Sequence, residues 1–230
     1  MKYRFLLIFS LFYTANCAGQ DTLSQRARLS DSVIAHYHVL GSAPNIKVGR
    51  YLVYLKRRTL LVRGNYNNGK KSGVWQFFDV KGNMNQKYNY DKKTFTFEAP
   101  LYASGDFSFL FDDSLKKGDR LTRPLKIGGI YYGFIPYLNI FKLPFDTYNI
   151  DTSLFEAYIE LLISPMGRLA DYNIRVVSAD YHYDHIFNMD INLFSDEDRT
   201  FIPATKNHVP VMSRILIKCF VTPQGGLDFY

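Results

Sequence analysis

The chain has few of the residues that cross-link a protein or hold it in a membrane. Its 230 residues include two cysteines, Cys17 and Cys219, so at most one disulfide can form within the chain. Its longest apolar run, Phe5–Tyr13, is well short of the roughly 20 residues that cross a bilayer as a helix. We therefore expect stability to come from an apolar core, and no transmembrane helix in the mature chain.

The motifs of common enzyme classes are also missing. There is no Gly-x-Ser-x-Gly, His-Glu-x-x-His or phosphate loop. Asp180–His185 concentrates two histidines and two aspartates, but the spacing fits no closed zinc site. Asp112, Asp113 and Asp119 lack the alternating oxygen spacing of a calcium loop. Cys219 lies in an apolar strand, which favours a buried thiol over a nucleophile. We predict no catalytic residues, metal or cofactor, and an enzyme with an unrecognised site remains the alternative.

The N-terminus predicts export. Lys2 and Arg4 precede the apolar run, and small residues follow it up to Gly19, which is the order of a secretory signal peptide. Removing residues 1–19 would leave Cys219 as the single cysteine. A second possibility stays open, because a lipidated Cys17 would anchor the protein instead of releasing it. The predicted location is periplasmic or outer-membrane associated, or outside the cell.

Charge is distributed unevenly along the chain. Residues 20–126 carry 19 Lys and Arg against 9 Asp and Glu, whereas residues 127–230 carry 7 against 12. Residues 46–75 contain eight basic side chains and no acidic one. This polarity predicts two modules with different surfaces. The basic module suits an envelope protein or a cell-wall or lipid component, and nucleic acid is not expected as a partner. The opposite charges also leave open that the modules bind each other.

Two patterns divide the first module. Residues 20–45 are predicted to form a short helix followed by a loop, since Leu29, Val33 and Ile34 fall at helical spacing. Residues 46–100 consist of short aromatic and β-branched runs separated by Asn-Gly and Lys-Gly-Asn turns. Such runs are typical of an antiparallel β meander.

The meander contains a segment that resembles a known repeat. Gly64–Asn83, GNYNNGKKSGVWQFFDVKGN, is similar to the MORN type, in the variant found in exported bacterial proteins. The matching positions include Gly64, Tyr66, Gly69, Gly73, Trp75, Phe77 and Gly82. The resemblance covers about residues 60–95 and implies a scaffold without catalytic residues. We expect the glycines to turn the hairpins, the aromatic rings to stack on a thin sheet, and the single repeat to pack on a neighbour.

The second module combines alternating strands with one helical pattern. Apolar residues alternate through Phe155–Ile163, a turn leads into a strand at Leu169–Ser178, and Asp184–Phe194 has helical spacing. A last strand follows. We therefore predict an α+β protein whose second module is a small α/β sandwich with a three-stranded antiparallel sheet.

This order resembles the C-terminal domain of TonB-type proteins. The positions that match the family motifs are Gly167, Pro203, Ala204, Pro210 and Val211. The resemblance covers residues 123–222, with residues 101–122 as a linker and residues 223–230 as a tail. It implies an edge strand that accepts an extended peptide. The candidate is the last strand, at positions Val211, Ser213, Ile215, Ile217 and Cys219.

Energy transduction is not carried over from that resemblance. A transducer needs a transmembrane helix and a long Pro-rich linker, and the chain shows neither. The sequence therefore predicts an exported, non-catalytic cell-envelope binding or scaffold protein of a Gram-negative bacterium. A TonB-related component of outer-membrane transport is an alternative.

Overall fold

Antiparallel β structure dominates the protein. The computed structural model describes residues 21–100, 106–111, 114 and 116–229. The predicted signal peptide, with Cys17, and the aspartates at 112 and 113 lie outside these residues.

The N-terminal sheet has seven strands that follow one another in sequence order, each antiparallel to the next. They are β1 Thr22–Arg28, β2 Val33–Leu40, β3 Ala43–Leu55, β4 Thr59–Asn67, β5 Lys70–Phe78, β6 Met84–Asn89 and β7 Thr94–Glu98. The predicted meander is confirmed. Asn68 and Gly69 join β4 to β5 with φ of 45° and 79°, the positive values that a two-residue hairpin turn needs.

The expected helix within residues 20–45 is wrong. β1 and β2 pair along their whole length, from Thr22 opposite Leu40 to Arg28 opposite Ile34. In β2, Val33 and Ala35 point into the core while Ile34 lies between them on the other face. Val33 and Ile34 therefore belong to a two-residue alternation, and Leu29 lies in the turn between β1 and β2. The meander begins at Thr22 rather than at residue 46.

The second large sheet has six strands instead of the predicted three. They are β8 Phe107–Phe111, β10 Glu156–Ile163, β11 Leu169–Ser178, β12 Tyr183–Asn188, β15 Ser213–Val221 and β16 Leu227–Asp228. The order is β12-β11-β10-β15-β16, with β8 also paired to β15. A separate three-stranded sheet contains β9 Leu121–Thr122, β13 Ala204–Lys206 and β14 Val209–Val211.

Three further expectations for this module are wrong. The segment proposed as a linker, residues 101–122, contributes β8 and β9, and the proposed tail, residues 223–230, contributes β16. The helix expected over Asp184–Phe194 is replaced by β12 and a single 3-10 turn at Ile191–Leu193. Side chains of β12 point alternately to the two faces of the sheet, and the rings of Tyr183, His185 and Phe187 contact one another on one face. β8, β12 and β16 each pair with a strand of the six-stranded sheet, and β9 pairs with β13 of the small sheet. This long-range pairing overrides the local sequence pattern.

The helices in the described residues are short. It comprises 3-10 turns at Tyr132–Phe134, Thr152–Leu154 and Ile191–Leu193 and one α-helical turn, α1, at Ile135–Leu138. The segment around α1 packs between the two large sheets. Gln86 of β6 fixes its start, because the side-chain Oε1 accepts the backbone N–H groups of Gly128 and Gly129 at 2.8 and 3.0 Å. Tyr132 stacks on Phe77 of β5, with ring centroids 5.9 Å apart.

Two apolar clusters form the core. One lies in the six-stranded sheet and combines aliphatic side chains, with Ile159, Leu161 and Ile217 fully buried, with aromatic ones such as Tyr172. The other lies on the seven-stranded sheet and centres on aromatic rings, including Trp75 and Phe77. This second cluster and the α1 segment lie on either side of the candidate site.

Candidate functional site

The last strand is not a free edge, so the predicted peptide-binding strand is wrong. β15 pairs with β10 from Ser213 to Phe220, and with β8 and β16 on its other side. Ser213, Ile215, Ile217 and Cys219 are fully buried. Val211 belongs to β14 of the small sheet, and burial raises the pKa of the Cys219 thiol. A strand hydrogen-bonded on both sides has no unpaired backbone groups to offer an incoming peptide.

The remaining TonB-like motif positions build a local junction. Gly167 turns β10 into β11 with φ of 71°, and a Cβ there would collide with the Phe201 carbonyl. That contact is a backbone pairing, since the Phe201 N–H donates to the Gly167 carbonyl at 2.8 Å. Pro203 and Ala204 follow directly, with Ala204 beginning β13, and Pro210 lies opposite Thr205 in the same hairpin. These residues shape the backbone and present no ligand site.

The aspartate and histidine segment does not form a metal site. Asp184 is held by Arg175, whose Nε and Nη2 donate to its two oxygens at 2.9 and 2.6 Å. The ring of His185 packs on Phe187 at a centroid distance of 4.5 Å, and His182 lies in the β11–β12 turn with φ of 49°. Within the described ranges no three His, Cys, Asp or Glu side chains group as metal ligands.

The MORN-like residues form an aromatic surface on one face of the seven-stranded sheet. Trp75 is fully buried, and the rings of Tyr51, Tyr66 and Tyr90 surround it at centroid distances of 5.3–5.4 Å. Gly64 makes room for this packing, because a Cβ there would overlap the indole ring. Gly64 therefore admits an aromatic ring, whereas Gly69 and Gly82 occupy hairpin turns with positive φ as expected. The result is an aromatic floor of rings inclined to one another, with tyrosine hydroxyls at its edge.

Two lysines lie on this floor. The Lys47 ammonium is 5.0–5.6 Å from the ring centroids of Tyr37, Tyr51 and Tyr66. The Lys71 ammonium is 5.5 Å from Trp75 and 5.1 Å from the Tyr90 ring. Both positions attract a cation to the electron-rich ring faces. Burial, and then the charge of Lys71, lowers the pKa of Lys47.

The opposite wall comes from the second module. Glu197, in the loop before β13, pairs with Lys71 and accepts the Tyr90 hydroxyl at 3.3 Å. Behind it Lys126 is buried and donates to the carbonyl oxygens of Glu197 and Asp198 at 3.2 and 2.7 Å. Burial lowers the pKa of Lys126 to about 8. The loop is thus held against the meander by the Tyr90 hydrogen bond and the Lys71 ion pair, and Lys126 supports it from behind.

These walls enclose the tyrosine–lysine cleft, defined by Lys47, Tyr51, Tyr66, Lys71, Tyr132 and Glu197. Its volume is 360 Å³, within the 300–1,000 Å³ typical of small-molecule sites. Burial raises the pKa of Tyr66 and Tyr90, so their hydroxyls stay protonated and can donate hydrogen bonds at neutral pH. Lys47 forms no ion pair with any carboxylate in the described part of the chain. The cleft can therefore bind an uncharged ring against its floor and an anion at Lys47.

Sequence reasoning found part of this site. It singled out Tyr66 and Trp75 and the basic, aromatic character of residues 46–75, but did not connect Lys47 or Lys71 with Glu197. The available signal was the interleaving of lysines and tyrosines across β3, β4 and β5.

Comparisons with known proteins add no assignment to this geometry: no family model, no curated protein and no solved structure matches the chain.

Proposed function

We propose that the protein is an exported, non-catalytic binding protein of the cell envelope, and that the tyrosine–lysine cleft is its ligand site. The observation that carries the proposal is the position of the Lys47 ammonium group, which lies over three aromatic rings and close to a second lysine, Lys71. Lys47 itself forms no ion pair with a described carboxylate. Two neighbouring cations cost electrostatic free energy, which a bound anion would offset.

The sequence features support the envelope setting. The N-terminal pattern is that of a signal peptide, and the MORN-like and TonB-like resemblances both point to envelope proteins. In the described residues no helix has the length and apolar character to cross a membrane. On this proposal the ligand is a component of the envelope that the protein meets after export.

The aromatic floor also favours binding over catalysis. Catalytic sites combine a nucleophile or a general base with a reacting group in reach of both. In the cleft, Glu197 is occupied by Lys71 and Tyr90, and burial holds the tyrosines protonated. Preformed ring faces and hydrogen-bond donors are what a recognition site requires.

The test is a capture experiment on envelope extract. The full chain is expressed in a Gram-negative host, its processed form is identified by mass and fractionation, and the purified protein is immobilised. Lys47→Met is the test variant and Lys92→Met, in the exposed β6–β7 turn, is the control with the same charge change. We expect envelope material to bind the wild type and Lys92→Met, and to be depleted on Lys47→Met. Equal recovery on all three proteins, or retention of the chain in the cytoplasm, would contradict the proposal.

A further inference from the structure

The chemistry of the tyrosine–lysine cleft narrows its ligand. The floor consists of ring faces, and the rim carries polar groups of both kinds: tyrosine hydroxyls and lysine ammonium groups that donate, and the Glu197 carboxylate that accepts. A fatty acyl chain would cover the Lys47 ammonium without offering it a polar partner, and burying an unpaired polar group costs about 1–3 kcal/mol or more for a charge. A ligand with one apolar face and a rim of hydroxyls satisfies both the floor and the rim.

Charge selects a single negative group. The cleft is lined by three lysines, Lys47, Lys71 and Lys126, and by two carboxylates, Glu197 and Asp198, which leaves one positive charge in excess. Lys71 pairs with Glu197, and Lys126 donates to backbone carbonyl groups. A dianionic group such as a phosphate ester would also face the Glu197 carboxylate, and like charges at short distance repel. A monoanion next to Lys47 balances the cleft without that penalty.

The size of the cleft limits the ligand to a small ring system. A volume of 360 Å³ lies near the lower end of the range for small-molecule sites. Tyr51 and Tyr66 meet at a centroid distance of 5.3 Å and an interplanar angle of 69°, so they form a corner rather than a flat sheet. A corner of two rings holds one six-membered ring by its apolar face and directs the ring substituents outward.

From these observations we propose that the cleft binds a hexuronic-acid residue, a sugar ring that carries one carboxylate, with the carboxylate at Lys47 and the ring against Tyr51 and Tyr66. The ring hydroxyls reach Glu197 and the Tyr90 hydroxyl. The inference rests on the proposed function and specifies its ligand class. An acidic envelope or extracellular polysaccharide would supply such residues.

The test measures binding of galacturonic acid by calorimetry, with galactose and galactose 6-phosphate as matched ligands. Emission of Trp75, the single tryptophan of the chain, provides a second readout because Lys71 lies over its ring. We expect galacturonate to bind the wild-type protein about tenfold more tightly than galactose, as one charge-assisted hydrogen bond provides. The advantage should shrink as salt is added.

Variants separate the contributions. Lys47→Met should remove the preference for galacturonate over galactose, while Lys92→Met should keep it. Tyr66→Phe keeps the ring and should change both affinities less than twofold if stacking dominates, because the hydroxyl lies at the rim. Unfolding by urea on each variant shows whether the fold is intact.

Three results would overturn the inference: equal affinity for galacturonate and galactose, tighter binding of galactose 6-phosphate, or no binding of any of the three. Failure here is distinguishable from failure of the proposed function. If envelope material still depends on Lys47 for capture while galacturonate does not bind, the cleft is a ligand site for another anion. If neither depends on Lys47, both proposals fall.

Discussion

The two large sheets differ in how completely their core-facing sides are closed. The central strands of the six-stranded sheet alternate strictly, and Ile159, Leu161 and Ile217 are sealed from solvent on the inner face. The seven-stranded sheet instead packs tyrosine and tryptophan rings, with lysines over them and a cleft beside them. Both cores contain aliphatic and aromatic side chains, but the partly buried tyrosine rings beside the cleft present an apolar face and a polar edge. On the proposed function, recognition belongs to the open side of the seven-stranded sheet, and the closed six-stranded sheet contributes mainly to stability.

The largest effect on stability is expected in the six-stranded sheet. Ile217→Ala removes part of a fully buried side chain from β15 and should lower the free energy of unfolding by about 2–5 kcal/mol. Ile186→Ala, on the same sheet but 56% exposed, should change it by less than about 0.5 kcal/mol. Urea unfolding compares the two. Equal losses would break the distinction between the closed and open faces.

The next largest effect on stability is expected from a steric change in the seven-stranded sheet. Gly64→Ala places a methyl group into the Trp75 indole, and such overpacking should cost about 1–3 kcal/mol and shift Trp75 emission. Gly226, before β16 of the other sheet, has its nearest neighbour at an ordinary 3.5 Å, so Gly226→Ala should change stability by less than about 1 kcal/mol in either direction. If Gly64→Ala is as stable as the wild type with unchanged emission, the tight ring packing is wrong.

Lys126, which holds the loop of Glu197 and Asp198, gives a smaller, pH-dependent effect. Its pKa is about 8 in the folded protein and 10.5 as the reference for the unfolded chain. Between these values the unfolded chain binds the proton more strongly, so the free energy of unfolding should rise with pH, by about 2 kcal/mol between about pH 8 and 9.5. Ionisation of tyrosines in the unfolded chain opposes this trend above about pH 10.

Lys126→Met isolates that contribution. The variant keeps the length of the side chain but has no titrating group, so its rise in stability over the same pH range should be smaller than that of the wild type. The measurement is a series of urea unfolding curves for both proteins. Parallel pH profiles would show that Lys126 titrates in the folded protein as it does in water.

The smallest effect concerns a direct hydrogen-bonded link between the two large sheets. The buried Asp228 carboxylate of β16 accepts the Ser32 hydroxyl at 2.6 Å and the Ser32 backbone N–H at 3.2 Å. Asp228→Asn and Ser32→Ala should each cost about 1 kcal/mol. The double mutant should lose less stability than the sum of the two single losses, because both substitutions remove the same contact. Strictly additive losses would show that the sheets do not communicate through this pair.

The sequence predicted the meander because its signals are local. Asn68 and Gly69 specify a hairpin turn by their own tolerance of positive φ, and Trp75 and Phe77 fall on one face by the two-residue period of a strand. The same locality misled the reading of Leu29, Val33 and Ile34. Their spacing fits a helix, but Val33 and Ile34 lie on opposite faces of β2, and the pairing of β2 with β1 and β3 makes this segment a strand.

The predicted edge strand failed for a related reason. Residues 213–221 read correctly as a strand, but nothing within them reveals how many neighbours they have. β8 comes from a segment interpreted as a linker and β16 from a segment interpreted as a tail, and both lie beside β15. The number of neighbours of a strand is a property of the whole sheet.

By itself the sequence determined the turns, the alternation of the strands and the basic, aromatic character of the first module, since each depends on residues a few positions apart. The tertiary structure decided which strands are interior and which charges meet. Lys71 and Glu197 are 126 positions apart, and no local pattern links them. They meet because Gln86 and Lys126 hold the segment between the sheets in place, and that packing also leaves Lys47 in the cleft without a carboxylate of its own.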